Sequence, residues 1–191
     1  AGGLTVDQAQ TITISALNAA PTITSGATGS VAENTATSTV VYTITATDPE
    51  SDTLSYALTG TDAASFSIDA TTGQVKLLTP ADFETKSSYS ITVNAKDASH
   101  TTTKVVTINV TDANEAPTNV SLSASSVAEN TSTASALTIG ALTSTDPDTG
   151  NTFTYSIVGG ADQASFQVSG ANLQFVAGTT LDYETKSSYS I

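Results

Sequence analysis

The feature of this sequence that most constrains its fold is an internal repeat of about 96 residues. The motif SVAENT occupies residues 30–35 and returns at residues 126–131. FETKSSYSI at residues 83–91 returns as YETKSSYSI at the end of the chain, and TITISALNAAPT at residues 11–22 matches VTINVTDANEAPT at residues 106–118. A repeat of this length predicts tandem modules, each a separate folding unit stacked on its neighbours.

The repeat predicts three modules. Residues 1–18 are the C-terminal part of a first module, residues 19–114 are a complete module, and residues 115–191 are a third module that stops before its last strand or strands. Pro21 and Pro117 mark the linkers, where proline disfavours helix and keeps the chain extended. We therefore expect the sequence to be a segment of a longer protein.

Within the complete module the hydrophobic pattern has a period of two. Apolar residues alternate with polar ones in residues 89–95, 106–110, 40–46 and 54–58, and residues 69–74 (DATTGQ) predict a hairpin turn. The inward positions include Tyr42, Tyr56 and Tyr89, which predicts core packing for these rings. About seven short strands in about 96 residues, with no helical periodicity, are typical of an all-β fold of tandem seven-stranded Greek-key β-sandwiches, as in immunoglobulin-like domains.

The charge balance excludes several classes of partner. The chain carries 18 acidic residues against five lysines, no arginine and no cysteine, with a formal net charge of −13. Such a chain repels nucleic acid and anionic membrane surfaces. No apolar run approaches the ~20 residues of a membrane span. Without cysteine there is neither a disulfide nor a thiolate metal site.

Most of the acids are concentrated in the predicted loops and linkers. They are Glu33 and Glu129; Asp48, Glu50 and Asp52; Asp146 and Asp148; Asp82 and Glu84; Asp182 and Glu184; Asp97; and Asp112 and Glu115. Calcium binds six to eight oxygen ligands in loose geometry, so repeated carboxylates of this kind favour a Ca²⁺ site over a solvated surface.

The order of these motifs resembles the cadherin repeat, a seven-stranded sandwich that binds Ca²⁺ between successive modules. The resemblance is carried by Glu33, by Asp48-Pro-Glu50, by Asp82-Phe-Glu84, by Asp97 and by the linker at residues 112–117. This linker has Glu115 in place of the second aspartate and is one residue shorter than the family pattern. In that respect it is similar to the cadherin-like repeats of large bacterial surface proteins.

The resemblance implies three groups of metal ligands. At the second–third junction they are Glu33, Asp82, Glu84, Asp112, Asn114, Glu115, Asp146 and Asp148. At the first–second junction they are Asn18, Asp48, Glu50 and Asp97. A partial site toward a following module comprises Glu129, Asp182 and Glu184. We expect the first–second junction to bind more weakly, because Ala16 and Ala19 stand where the other linker has Asp112 and Glu115.

These expectations favour a non-enzymatic segment of a large surface adhesin or matrix protein of bacterial type. We expect the segment to be rigidified by calcium and to be extracellular, either at the cell surface or secreted. Its partners would be neighbouring modules, a second copy in homophilic or lateral association, or a surface or matrix polysaccharide. Two alternatives remain open: an accessory module of a secreted polysaccharide-degrading enzyme, and a self-assembling filament or surface-layer subunit.

Two catalytic interpretations are disfavoured. Asp82 and Glu84 have the spacing of alternate strand residues and recur in the next module, which fits a structural site better than a glycosidase acid/base pair. His100 is the only histidine and lies in a polar stretch without a counterpart in the repeat, which favours a loop residue over a general base.

Overall fold

A computed structural model describes residue 9, residues 11–14 and residues 17–191. The chain divides into two compact units, unit 1 (Ala1–Ala113) and unit 2 (Asn114–Ile191). The predicted first module, residues 1–18, lies partly outside the described residues. The division into three modules stays a prediction.

Unit 1 contains nine strands in the part that the structure describes. They are β1 (Thr22–Ile23), β2 (Thr28–Ala32), β3 (Tyr42–Thr43), β4 (Ala46–Thr47), β5 (Ser55–Thr59), β6 (Phe66–Ile68), β7 (Gln74–Leu77), β8 (Ser88–Lys96) and β9 (Thr101–Thr111). One sheet has the order β2-β9-β8-β5, a second has the order β3-β7-β6, and β1 pairs with β4. Every pairing is antiparallel except that of β2 with β9, which is parallel.

The core of unit 1 lies between the sheets and is made by the residues that the period of two places inward. Ile91 and Val93 of β8 and Val106 and Ile108 of β9 are fully buried. The β3-β7-β6 sheet contributes Tyr42, Phe66, Val75 and Leu77 to the core. Tyr56 and Tyr89 are partly buried against it. The prediction of an all-β sandwich with tyrosines in its core is confirmed.

Two local features differ from the sequence prediction. The predicted strand at residues 40–46 is interrupted after Thr43. Ile44 instead donates its N–H to the carbonyl of Gly73 in the β6–β7 turn, and Gly73 has a φ of +70° that suits glycine. One turn of 3₁₀ helix, Ala63–Ser65, precedes β6.

Unit 2 contains four strands among its described residues. They are β10 (Asn119–Leu122), β11 (Leu137–Thr145), β12 (Phe166–Ser169) and β13 (Asn172–Phe175), joined in the order β10-β11-β13-β12. A 3₁₀ turn at Gln163–Ser165 repeats that of unit 1. The described part of unit 2 has no counterpart of the β2-β9-β8-β5 sheet.

Candidate metal centre

The parallel pairing of β2 with β9 places two acids side by side. Ala32, the last residue of β2, is paired with Thr111, the last residue of β9. Glu33 and Asp112 follow directly, so they leave the sheet at the same end. Glu84, in the loop before β8, joins them, and one carboxylate oxygen from each of the three lies within 4.8 Å of the others. We call these three residues the primary acidic cluster.

Glu33 is the anchored member of the primary cluster. Its side chain is buried, with the residue only 3% exposed. Its carboxylate accepts the backbone N–H of Phe83 at 2.8 Å and that of Ala113 at 2.7 Å. A left-handed turn at Asn34 (φ 57°) directs the chain away after Glu33, a conformation that asparagine tolerates better than most residues. Two backbone donors therefore hold a buried carboxylate in place beside two other acids.

Asp82 lies outside the primary cluster, although the sequence predicts it as a ligand. Its two carboxylate oxygens accept the backbone N–H and the side-chain hydroxyl of Thr85, both at 2.9 Å. These hydrogen bonds hold the pKa of Asp82 below its ordinary value. The carboxylate is ionised and already forms a local turn.

Unit 2 contains a secondary acidic cluster, Glu129, Asp182 and Glu184, in which Glu129 and Glu184 are the equivalents of Glu33 and Glu84. One carboxylate oxygen from each lies within 4.8 Å of the others. Glu129 accepts the N–H of Tyr183 at 3.3 Å, as Glu33 does that of Phe83, but Glu129 is exposed. Thr185 donates its hydroxyl and its N–H to Asp182, and both lower the pKa of Asp182. The partial site predicted from the sequence is thus brought together as a group of three carboxylates.

The loop after β4 presents a second arrangement of acids. One oxygen of Asp48, Oδ1, accepts the backbone N–H groups of Glu50 at 3.0 Å and Asp52 at 3.1 Å. The other oxygen, Oδ2, is buried and has no hydrogen-bond partner among the described residues. A buried carboxylate oxygen without a donor is costly unless a cation or a water satisfies it.

The first linker contacts this end of unit 1. Asn18 donates its side-chain amide to Asp97 Oδ2 at 3.1 Å, and the N–H of Ala19 donates to Glu50 at 3.0 Å. Asp97 is buried and also accepts the N–H groups of His100 and Ser99, which together with the Asn18 amide hold its pKa below the ordinary value. His100 places Nδ1 3.0 Å from the Asn18 amide nitrogen, so it has polar partners that the sequence did not predict.

The second linker makes the equivalent backbone contact. The N–H of Glu115 donates to Asp148 Oδ2 at 2.6 Å, and Asn114 donates its side-chain amide to the Glu115 carbonyl. Asp146 Oδ1 accepts the N–H of Asp148 and the side-chain amide of Asn151. The prediction that Asp146 and Asp148 join the primary cluster involves both units and stays a prediction.

Sequence reasoning missed a charged pair that occurs in both units. Lys86 contacts Asp62 at 2.6 Å, Ser90 donates its N–H to Asp62 at 2.7 Å, and the Lys86 ammonium lies 5.0 Å from the ring centroid of Tyr89. Lys186, Asp162, Ser190 and Tyr189 repeat these contacts in unit 2. The repeated TKSSYSI motif was the available signal, but it did not identify the aspartate 24 residues away.

The donor atoms of both clusters suit a hard divalent cation. Every member contributes a carboxylate oxygen, and no histidine belongs to either described cluster. Calcium prefers such ligands, whereas zinc favours nitrogen and sulfur. Together with the unsatisfied Asp48 oxygen, the residues present therefore fit Ca²⁺.

Within the described residues, no helix has the length and apolar character needed to cross a membrane.

Comparisons with known proteins show what this chain is similar to. Residues 27–121 match the family model "Cadherin domain". The chain is 34% identical over 167 residues to protocadherin Fat 4 of Mus musculus, covering 83% of this chain and 3% of that protein. It is 32% identical over 161 residues to cadherin-related family member 1 of Gallus gallus, covering 81% of this chain and 18% of that protein. The chain thus spans less than a fifth of the length of these relatives.

Solved structures show the same fold. The EC1-2 structure of human protocadherin-24 superposes with a TM-score of 0.72 at 21% identity, covering 89% of this chain and 82% of that one. The extracellular cadherin domains 1-4 of protocadherin gamma B7 give a TM-score of 0.57 at 24% identity, covering 87% and 43%. The sequence match identifies residues 27–121 as a cadherin domain, and the structural similarity shows that the chain has the all-β fold of that family.

Proposed function

We propose that this protein is a calcium-binding, non-enzymatic segment of an extracellular tandem-repeat adhesion protein. The observation that carries the proposal is the primary acidic cluster, in which a buried glutamate and two further acids bring oxygens within 4.8 Å of one another. The equivalents of Glu33 and Glu84 also lie together in the secondary cluster of unit 2, which supports a role built into each repeat.

Electrostatics supports a bound cation. Three carboxylates at this separation repel one another, and the burial of Glu33 weakens the screening by water. A Ca²⁺ ion cancels the repulsion and ties together the turn after β2, the loop before β8 and the end of β9.

Glu33, Glu84 and Asp112 would hold this ion. The sequence supplies Asp82, Asn114, Glu115, Asp146 and Asp148 as the remaining predicted ligands of the second–third junction. We propose a weaker site at the first linker from Asn18, Asp48, Glu50 and Asp97. The buried oxygen of Asp48 supports it, while the hydrogen bonds already made by Asp97 and the alanine at position 19 limit its affinity.

The adhesion role follows from the family match. Relatives that are cadherins or protocadherins by name support a place in an extracellular array whose segments are stiffened by calcium. In this role the units contact neighbouring modules and, through their exposed faces, a second copy or a surface polysaccharide. A surface adhesin or matrix protein of bacterial type, as the shortened linker suggests, is part of this proposal.

The test is calorimetric titration of the chain with Ca²⁺, combined with thermal melting. Saturation a hundredfold above the dissociation constant adds about 2.7 kcal/mol to the folded state. We therefore expect a rise in melting temperature on the order of 10 °C over the value in EDTA. Glu84→Gln should weaken calcium binding at least tenfold.

Asp69→Asn is the matched control, because it removes the same charge at a hairpin turn outside both clusters. Its Oδ1, which accepts the N–H groups of Thr71 and Thr72 in the wild type, is retained. Equal melting curves in EDTA and in calcium, or equal losses of binding in the two variants, would contradict the proposal.

A further inference from the structure

The carboxylate of Asp62 is used in an unexpected way. Asp62 is the residue directly before the 3₁₀ turn Ala63–Ser65, a position from which an aspartate side chain often accepts an N–H of the turn, but here it makes no such cap. Instead Oδ1 lies 2.6 Å from Lys86 Nζ, and Oδ2 accepts the N–H of Ser90 at 2.7 Å. The backbone N–H of Asp62 also donates to the Ser90 carbonyl at 3.2 Å. Asp62 is therefore fixed to β8 and holds Lys86 with its other oxygen.

Lys86 closes the turn that carries one member of the primary acidic cluster. Its backbone N–H donates to the Asp82 carbonyl at 2.9 Å, which completes a single helical turn. The start of this turn is attached to the buried Glu33, which accepts the N–H of Phe83. The end of the turn is attached through the lysine ammonium to the aspartate before the 3₁₀ turn. Glu84 lies between these two attachment points.

The attachment at the end of the turn opposes the repulsion within the cluster. Glu84 is exposed, and its carboxylate faces those of Glu33 and Asp112 at short range. Without a cation this repulsion favours movement of the turn away from the other two acids. A ligand that has moved away must be ordered again when the ion binds, and this entropy cost lowers the affinity.

The same attachment accompanies the equivalent glutamate of unit 2. Lys186 Nζ lies 2.5 Å from Asp162 Oδ1, and Glu184 belongs to the secondary cluster. The attachment at the start of that turn is weaker, because Glu129 is exposed and accepts the N–H of Tyr183 at 3.3 Å, compared with 2.8 Å in unit 1. The lysine–aspartate contact is therefore the better preserved of the two attachments.

We propose that Asp62 and Lys86 are positioning residues for the calcium site, which hold Glu84 beside Glu33 and Asp112 and so raise the affinity for Ca²⁺ without touching the ion. This inference rests on the proposed function and deepens it. The Lys86 side chain is 42% exposed, so its contact with Asp62 is partly screened by water. Breaking the contact should weaken calcium binding about threefold to tenfold, at or below the loss usual for groups that orient metal ligands.

The first experiment is calorimetric titration with Ca²⁺, at a temperature where every variant is folded. Asp62→Asn removes the charge but keeps an acceptor for the N–H of Ser90, and Lys86→Met removes the ammonium; both should bind more weakly. Lys86→Arg keeps the cation and should bind like the wild type. Asp69→Asn is the matched control, since it removes an equal charge from a hairpin turn outside the cluster and should leave the affinity unchanged. Unchanged affinity in Asp62→Asn, or an equal loss in the control, overturns the inference.

A double-mutant cycle separates positioning from a general effect on unit 1. If Asp62 acts through Glu84, then Asp62→Asn should cause little further loss of calcium affinity in a chain that already carries Glu84→Ala. A loss caused by lower stability or by long-range charge would add to that of Glu84→Ala. Additive losses would therefore refute the positioning role.

Amide hydrogen exchange followed by NMR in EDTA tests the attachment without the metal. Phe83 and Ala113 both donate their N–H groups to Glu33, but only Phe83 belongs to the turn. Asp62→Asn should speed the exchange of Phe83, Thr85 and Lys86 and leave that of Ala113 unchanged. An equal increase at Ala113 would show that the substitution loosens unit 1 as a whole, which contradicts the inference.

These measurements also distinguish the inference from the proposed function. A wild-type chain that binds no calcium contradicts the proposed function, and the positioning role is then wrong as well. A wild-type chain that binds calcium, with equal affinity in Asp62→Asn, leaves the calcium site in place and refutes the positioning role alone.

Discussion

At the scale of single residues, the acids of this chain divide into two kinds that the sequence alone does not separate. Glu33, Glu84 and Asp112 lie close to one another and fit a cation. Asp62 and Asp162 are instead neutralised by lysines, and Asp62 also accepts the N–H of Ser90 near the start of β8. The difference comes from which loops the fold brings together, so it depends on tertiary structure rather than on local sequence.

The Asp62–Lys86 pair gives a prediction for pH dependence. The Lys86 ammonium, followed by the N–H of Ser90, lowers the pKa of Asp62. A carboxyl with a lowered folded-state pKa stabilises the protein above its unfolded pKa, about 3.9, and this stability is lost as the pH falls through the folded value. Asp62→Asn should therefore lower the melting temperature at pH 7, by an amount corresponding to roughly 0.5–2 kcal/mol.

Melting of both proteins in EDTA between pH 7 and pH 2.5 checks this prediction. The difference in melting temperature should stay constant down to about pH 5 and shrink as the pH falls below about 4. It should vanish only below the lowered folded-state pKa of Asp62, where both proteins carry a neutral side chain at this position. A difference that does not depend on pH would mean that Asp62 acts through its shape and not through its charge.

At the scale of strands, the close contact of β2 with β9 organises unit 1. Gly29 is paired with Ile108. A Cβ built at Gly29 would lie 2.8 Å from Ile108 Cδ1 and 3.2 Å from the Val41 carbonyl oxygen. The two strands approach closely there because glycine has no side chain, and the same pairing aligns Glu33 with Asp112.

Gly29→Ala should therefore destabilise unit 1 by about 1–3 kcal/mol, because the added methyl group overpacks a buried contact. Gly26→Ala is the matched control, since its Cβ would have no neighbour closer than 3.9 Å. Urea unfolding followed by circular dichroism measures both. Equal effects of the two substitutions would contradict the role assigned to the close contact.

Some of the strands could be predicted from the sequence and some local features could not. The period of two identified β8 and β9 and their inward residues, because long strands with one buried face must alternate. It did not identify the break after Thr43 or the 3₁₀ turns, which depend on contacts with Gly73 and on three-residue geometry.

For the candidate site, repetition of the acidic motifs predicted every member of both described clusters. The motif did not predict that Asp82 lies outside the primary cluster while its equivalent Asp182 belongs to the secondary one, since both make the same hydrogen bonds with the following threonine.

At the scale of the whole chain, the two units differ in how completely their cores are covered. Unit 1 buries its apolar residues between facing sheets, whereas in the described part of unit 2 the buried hydrophobic residues are Leu173, Phe175 and Leu181. Stability follows the apolar area removed from water, so the two units should not unfold together.

We expect unit 2 to unfold first. Hydrogen exchange followed by mass spectrometry should show faster exchange in β10–β13 than in β8 and β9. Uniform exchange across both units would contradict this order.

The parallel pairing of β2 with β9 has a mechanical consequence. β2 lies near the start of unit 1 and β9 at its end, so tension applied through the two linkers pulls these neighbouring strands in opposite directions along their length. Such a load shears the hydrogen bonds between them together rather than opening them one after another. Under force the lifetime of unit 1 is set by its unfolding rate, and this pairing makes β2 and β9 the strands that resist extension in a tethered chain.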